Sequence, residues 1–218
     1  MNLPAPPLLV ISDRGQARQP LLDIAAAAFG AGGRWFSLRE KDLPAAERRD
    51  LLRALVALAR RYGATVTAHD DLAAVIGEGA DGVHLPGGGD PWAFSPRACP
   101  VGAARLLLPA GLIGVSAHSP EEAAAQLAAG ADYATLSPIF LTASKPGYGP
   151  AVGLDALARA ARLAPGPIVA LGGIDEANIA SCLSAGAAGI AVMGEIMRAA
   201  DPAATIRRLI AAIERANS

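Results

Sequence analysis

At 218 residues the chain is long enough for a sizeable core, as one large domain or two small ones. Its 19 basic and 20 acidic residues leave a net charge of −1, and 52 % of positions are apolar. That balance excludes a disordered polyelectrolyte and a basic nucleic-acid binder.

Short apolar runs alternate with Ala/Leu-rich helical patterns throughout. A strand predicted at Leu8–Ser12 is followed by a helix near Pro20–Gly30, and Trp35–Arg39 by a helix near Pro44–Tyr62. Thr65–Ala68 precedes a helix near Asp71–Gly77. Gly82–Leu85 leads into an irregular connection, Pro86–Pro100, with three consecutive glycines. Next come Leu112–Ser116 with a helix at Pro120–Ala129, and Tyr133–Leu136 with one at Leu154–Leu163. The last pairs are Ile168–Leu171 with Glu176–Ala185, and Gly189–Val192 with Pro202–Ala216. Each strand is four or five residues long and apolar at nearly every position, the mark of strands buried on both faces. Ser119 and Asp201 stand as caps, each followed by a proline in the first helical turn.

Two cysteines, Cys99 and Cys182, lie far apart without metal-ligand spacing, so zinc and CxxC redox readings drop out. No apolar run reaches the roughly 18 residues of a membrane span. The opening stretch lacks a basic signal-peptide region, and a cytoplasmic protein is expected. Gly79-Ala80-Asp81-Gly82, Gly130-Ala131-Asp132-Tyr133 and Gly186-Ala187-Ala188-Gly189 repeat one helix-to-strand joint. Eight strands with helices between them predict a (β/α)8 TIM barrel, as one domain over residues 1–218. A doubly wound open sheet is the alternative, disfavoured because no GxGxxG follows the first strand.

In such a barrel the site lies at the carboxyl ends of the strands. Polar residues collect there: Asp13-Arg14, Ser37 to Lys41, His69-Asp70-Asp71, Ser116, Gly172-Gly173 and Met193-Gly194-Glu195. Alternation puts Ser37, Arg39 and Lys41 on one side, where two cations require an anion such as a diphosphate. Glu40 faces the other way as a structural partner. Asp70 is either a magnesium ligand or the cap of the following helix. Among the histidines only His69 is weighed for the site; His84 reads as a core residue and His118 as part of a helix start. The loop Thr135–Pro150, holding Thr142, Ser144 and Lys145, is either an ordinary connection or a phosphate-binding loop, and its place on this rim favours the second.

The segments LLVISDR, SLREKD, HDD-LA, ADGVHL, GVSAHS, GADYATLSPIFLTASK, VALGGI and GIAVMGEI occur in this order from Leu8 to Met197. Together they resemble the thiamine phosphate synthase/TenI-like superfamily. The resemblance implies a transferase of thiamine biosynthesis. It would join a hydroxymethylpyrimidine diphosphate to a thiazole phosphate carboxylate, with Mg2+ assisting departure of diphosphate. By position, Arg39, Lys41, Lys145 and Ser116 match residues on the pyrimidine diphosphate, and Asp70 a magnesium ligand. Thr142 and Ser144 match threonines that meet the thiazole phosphate, and Gly172, Gly173, Met193 and Gly194 the remaining phosphate side.

Four positions depart from that pattern. Ser37 replaces a glutamine and His69 an asparagine, both on the pyrimidine side. Gly89 stands where a second magnesium aspartate is usual, with Asp90 one residue late, and Gly194 replaces a serine. The TenI-type tautomerase is the alternative enzyme, although its catalytic histidine aligns with Pro138. A barrel that only binds a thiamine-related phosphate is the non-enzymatic reading. Phosphorylated pyrimidine and thiazole molecules are the expected partners, without nucleic acid or membrane, and assembly of like chains is left open.

Overall fold

The computed structural model of the chain describes residues 2–88, 100–142 and 150–217. Within them β1 (Leu8–Ile11) leads to α1 (Leu21–Gly30), β2 (Trp35–Leu38) to α2 (Ala45–Arg60), and β3 (Thr65–His69) to α3 (Leu72–Glu78). Then follow β4 (Gly82–Leu85), α4 (Val101–Leu107), β5 (Leu112–Ala117), α5 (Pro120–Ala128), β6 (Tyr133–Leu136) and α6 (Gly153–Leu163). The chain ends with β7 (Ile168–Leu171), α7 (Ile179–Ser184), β8 (Gly189–Val192), α8 (Gly194–Met197) and α9 (Pro202–Ala216). The strands pair in parallel in sequence order, and β8 returns to β1. The expected (β/α)8 barrel is the observed fold, and the open sheet is excluded by this closure. No helix among the described residues is long and apolar enough to cross a membrane.

Strand register sorts the side chains into two layers. Leu9 lies opposite Trp35, Ser37 opposite both Ile11 and Thr67, and His69 opposite His84. Because side chains alternate along a strand, these residues point into the barrel and their neighbours point out. The outward set, including Leu8, Val10, Phe36, Val66, Ile113 and Ile190, merges with the helices into the main core. The inward set forms a separate plug of Leu9, Ile11, Trp35, Leu112, Tyr133, Val169 and Ala191. Strands buried on both faces need apolar residues at both parities, which is why the sequence reads as continuous apolar runs.

The repeated helix-to-strand joint has one physical role in its three copies. The backbone N–H of Asp81, Asp132 and Ala188 donates to the carbonyl of Val66, Ile113 and Ile168 respectively, each at 2.8 Å. In the two copies that carry aspartate, the carboxylate also accepts the N–H of Val66 or Ile113 at 2.7 Å. Alanine in the third copy keeps only the backbone bond.

Predicted caps hold, with Ser119 Oγ accepting from Glu122 N and Asp201 Oδ1 from Ala204 N. Beyond shifts of one or two residues at helix ends, one helix start and two further helices differ from expectation. Helix α7 begins at Ile179 rather than Glu176, because Asp175 and Asn178 side chains bond the local backbone of 175–177 and hold it in a turn. Helices α4 and α8 were not foreseen. The former is only seven residues long and the latter four, too short for a helical period to register.

Candidate active site

A cavity of about 510 Å3 opens at the carboxyl ends of the strands. Arg39 and Lys41 enter it from the end of β2, His69 from β3 and His84 from β4. Ser116 and His118 come from β5, Thr142 from the segment after β6, Gly172 and Gly173 from β7, and Met193 and Gly194 from β8. Residues far apart in the chain meet here because every parallel strand points its carboxyl end the same way.

A buried carboxylate sets the two cations. Glu40 is 2 % exposed and turns away from the cavity. Ser12 Oγ donates to Glu40 Oε1 at 2.6 Å and accepts the Arg39 N–H at 2.8 Å, while Arg14 N–H donates to Glu40 at 3.2 Å. Burial pushes the Glu40 carboxyl above its usual range, against the opposing pull of the Ser12 and Arg14 hydrogen bonds. The expected structural role of Glu40 is what the geometry shows. With Glu40 anchored outward, alternation leaves Arg39 and Lys41 toward the cavity. Among the described residues no carboxylate pairs with Arg39, whereas Lys41 Nζ lies 2.5 Å from Asp70 Oδ2.

Asp70 is the described non-glycine residue with positive φ, at 57°. Aspartate tolerates that left-handed conformation better than most residues, and it aims the carboxylate at Lys41. The helix-cap alternative for Asp70 is corrected: Asp71 caps α3, accepting from Ala74 N at 2.9 Å and binding Arg48 at 2.7 Å. Asp70 is therefore left at the rim.

All three histidines line the cavity, not His69 alone. His84 is fully buried, with Nδ1 3.0 Å from Tyr133 OH and Nε2 3.0 Å from Ser116 Oγ. Burial, with further contributions from Lys41 and Arg39, pushes its pKa down to about 3, so the ring is neutral. The His69 ring lies over it at a centroid distance of 4.4 Å and 33° tilt. His118 Nδ1 meets the Ser137 carbonyl at 2.9 Å. A signal for His84 existed in the sequence: it shares strand parity with inward-facing Gly82. Arg198 and Glu195 also reach the cavity, from the end and the first turn of the unforeseen α8.

Two of the described expected residues do not line the cavity, Asp70 at the rim and Ser37. Ser37 is fully buried and accepts a 2.8 Å hydrogen bond from Thr67.

The opposite side of the rim is built of backbone. Gly172 and Gly173 have φ of 100° and 64°. A Cβ on Gly172 would sit 2.8 Å from Pro138 Cα, and one on Gly173 would sit 2.5 Å from the Leu141 carbonyl oxygen. Ile139 and Phe140 N–H groups donate to the Leu171 and Gly172 carbonyls at 2.9 and 3.0 Å. These contacts hold the segment after β6 against the end of β7 and bring Thr142 to the cavity. Ser144, Lys145, Asp90 and Gly89 lie outside the described residues.

With this geometry in place, the model of the thiamine monophosphate synthase family matches residues 8–196. The chain belongs to that family. Among relatives in it, the thiamine-phosphate synthase of Anaeromyxobacter dehalogenans is 42 % identical over 190 residues, covering 87 % of this chain and 82 % of that protein. The thiamine-phosphate synthase of Methanoculleus marisnigri is 41 % identical over 207 residues, covering 93 % and 92 %. A solved thiamine phosphate pyrophosphorylase from Pyrococcus furiosus superposes with a TM-score of 0.84 at 29 % identity, covering 97 % of this chain and 96 % of its own. Similarity to the thiamine monophosphate synthase family thus spans the whole barrel, including every strand end that contributes to the cavity.

Proposed function

We propose that this chain is a cytoplasmic thiamine-phosphate synthase that uses the cavity to join a hydroxymethylpyrimidine diphosphate to a thiazole phosphate carboxylate. The observation that carries the reading is the pair Arg39 and Lys41 at one mouth of the barrel. Arg39 has no carboxylate partner among the described residues and Lys41 beside it has only Asp70 at the rim, so an anionic ligand is favoured there, and a diphosphate supplies the charge and size.

In the reaction, the bond between the pyrimidine methylene carbon and the diphosphate oxygen breaks, and its electron pair leaves with diphosphate. The thiazole nitrogen lone pair forms the new carbon–nitrogen bond, and the thiazole carboxylate departs as CO2, leaving its bonding pair on the ring carbon, which takes up a proton from water. Arg39 and Lys41 stabilise the charge that grows on the leaving oxygens, the kind of fixed electrostatic help that speeds such steps most. Lys145 would add a third cation from the loop after β6. Ser116 and Thr142 would orient the two substrates, with Ser144, Met193 and Gly194 on the thiazole-phosphate side.

Asp70 fits a magnesium ion. Mg2+ takes one or two carboxylates and fills its shell with phosphate oxygens and water, and an exposed carboxylate beside Lys41 is such a donor. Among the described residues no cluster of three or more His, Cys, Asp or Glu forms a full protein cage, which suits a metal shared with substrate. Asp70 would hold the ion with Asp90, and its chemistry would be to neutralise the departing diphosphate.

The pyrimidine end is recognised differently from the usual pattern in this reading. Ser37 is withdrawn into the barrel and bonded to Thr67, so the cavity wall at that point is formed by His69 and His84 instead.

Purified protein incubated with both substrates and Mg2+ should form thiamine phosphate, detected by chromatography, and should restore growth of a synthase-deficient strain. Absence of product in both assays would defeat the proposal.

A further inference from the structure

Below the cavity floor, polar side chains continue into the barrel interior, where apolar packing alone would fill the space. His84 joins Ser116 on its cavity side and Tyr133 on its inner side, each at 3.0 Å. In the same interior, Thr67 Oγ1 donates to Ser37 Oγ at 2.8 Å. Tyr133, Thr67 and Ser37 are fully buried and do not line the cavity.

The barrel is shaped to hold this chain. A Cβ on Gly114, the residue opposite Tyr133 on β5, would meet the phenol ring at 2.1 Å. The missing side chain is what lets the tyrosine lean across to His84. Trp35 then closes on the same ring edge-on, at 4.8 Å and 79°, and fixes its position. Burying hydroxyls is costly unless each is bonded, so a chain that ends at a cavity residue points to a use at that end.

We propose that His84 is a positioning residue that holds the Ser116 hydroxyl toward bound substrate, with Tyr133 as the group that fixes His84. The inference rests on the synthase reading for the identity of the ligand.

The direction of the hydrogen bonds follows from the ligand's chemistry. Phosphate oxygens only accept, so Ser116 donates to them and takes a hydrogen from His84. Nε2 then carries the imidazole proton, and Nδ1 accepts from Tyr133 O–H. Tyr133 keeps that proton because burial pushes the phenol well above its usual range.

The test combines tautomer and coupling. Nitrogen NMR of the ring-labelled protein with Mg2+ and inorganic diphosphate should show His84 protonated at Nε2, and Tyr133→Phe should abolish that single tautomer. In kinetics, Tyr133→Phe should lower kcat/KM about 5–30-fold, the worth of one buried hydrogen bond, with kcat carrying most of the loss. In a Ser116→Ala background the same change should cost no more than about 2-fold. A proton on Nδ1 in the diphosphate complex, or an equal loss in both backgrounds, would overturn the inference. Tyr133→Phe preserves the ring that Trp35 packs on, so the barrel should still form. If the wild-type protein makes no thiamine phosphate, the synthase reading falls, and the tautomer result alone decides the role of His84.

Discussion

The two sides of the cavity mouth are built by different means. At the ends of β2 and β3 the side chains of Arg39 and Lys41 reach the cavity, backed by buried Glu40, and Asp70 pairs with Lys41 at the rim. At the ends of β7 and β8, Gly172, Gly173 and Gly194 bring backbone to the cavity beside the side chains of Asp175, Met193, Glu195 and Arg198. A side-chain site depends on a few replaceable charges. A backbone site depends on conformation, so its failure should register in folding as well as in binding.

Four changes would break or sharpen that contrast. The largest effect is expected from Arg39→Ala, which should lower kcat/KM about 10–150-fold, as for a charge-assisted bond, while leaving the thermal midpoint almost unchanged. Steady-state kinetics beside a melting curve reads both; a fall in stability without loss of rate would reverse the assignment. Gly173→Ala should act the other way. A side chain at φ 64° with the Leu141 carbonyl in its path should cost about 1–2 kcal/mol in denaturant unfolding, with activity falling as the segment after β6 shifts.

At the opposite end of the barrel, Asp81→Ala removes the carboxylate that accepts Val66 N–H. Stability should drop by about 1 kcal/mol with kcat/KM intact, since that end holds the fold and not the site. A matched loss of activity would show the two ends to be coupled.

The smallest effect is a pH dependence. The folded state raises the Glu40 pKa through burial, so it binds a proton more tightly than the unfolded chain. The stability linked to that proton is present below the ordinary glutamate range and is lost as pH rises through the folded pKa. Wild type should therefore lose stability relative to Glu40→Gln as pH climbs from about 4 toward neutrality. Parallel stability curves would mean that burial of this carboxylate carries no penalty.

Much of this was legible in the chain. Continuous apolar runs separated by capped helices located all eight strands, and their ends differ by no more than one residue from expectation. Spacing by two placed Arg39 and Lys41 together, and both line the cavity. The histidines were harder to read. His84 looks like a core residue by its neighbours and is one by burial, yet its ring also forms the cavity floor, because an inward-facing residue near a strand end touches both. Asp70 and Asp71 could not be ranked as cap or rim by type; the Ala74 N–H on Asp71 and the positive φ at Asp70 separate them.

The sequence by itself determined which residues are strands, that Ser37, Arg39 and Lys41 share a side, and which end of each strand is polar, because those depend on local pattern and on chain direction. Only the tertiary structure decided that Ser37 withdraws behind the floor while His69 and His84 come to it, and that Gly172 and Gly173 draw the segment after β6 across the mouth. Those outcomes depend on barrel closure and register, which set distances between residues tens of positions apart. The polar rim was thus visible in the chain, and the packing of its two sides was not.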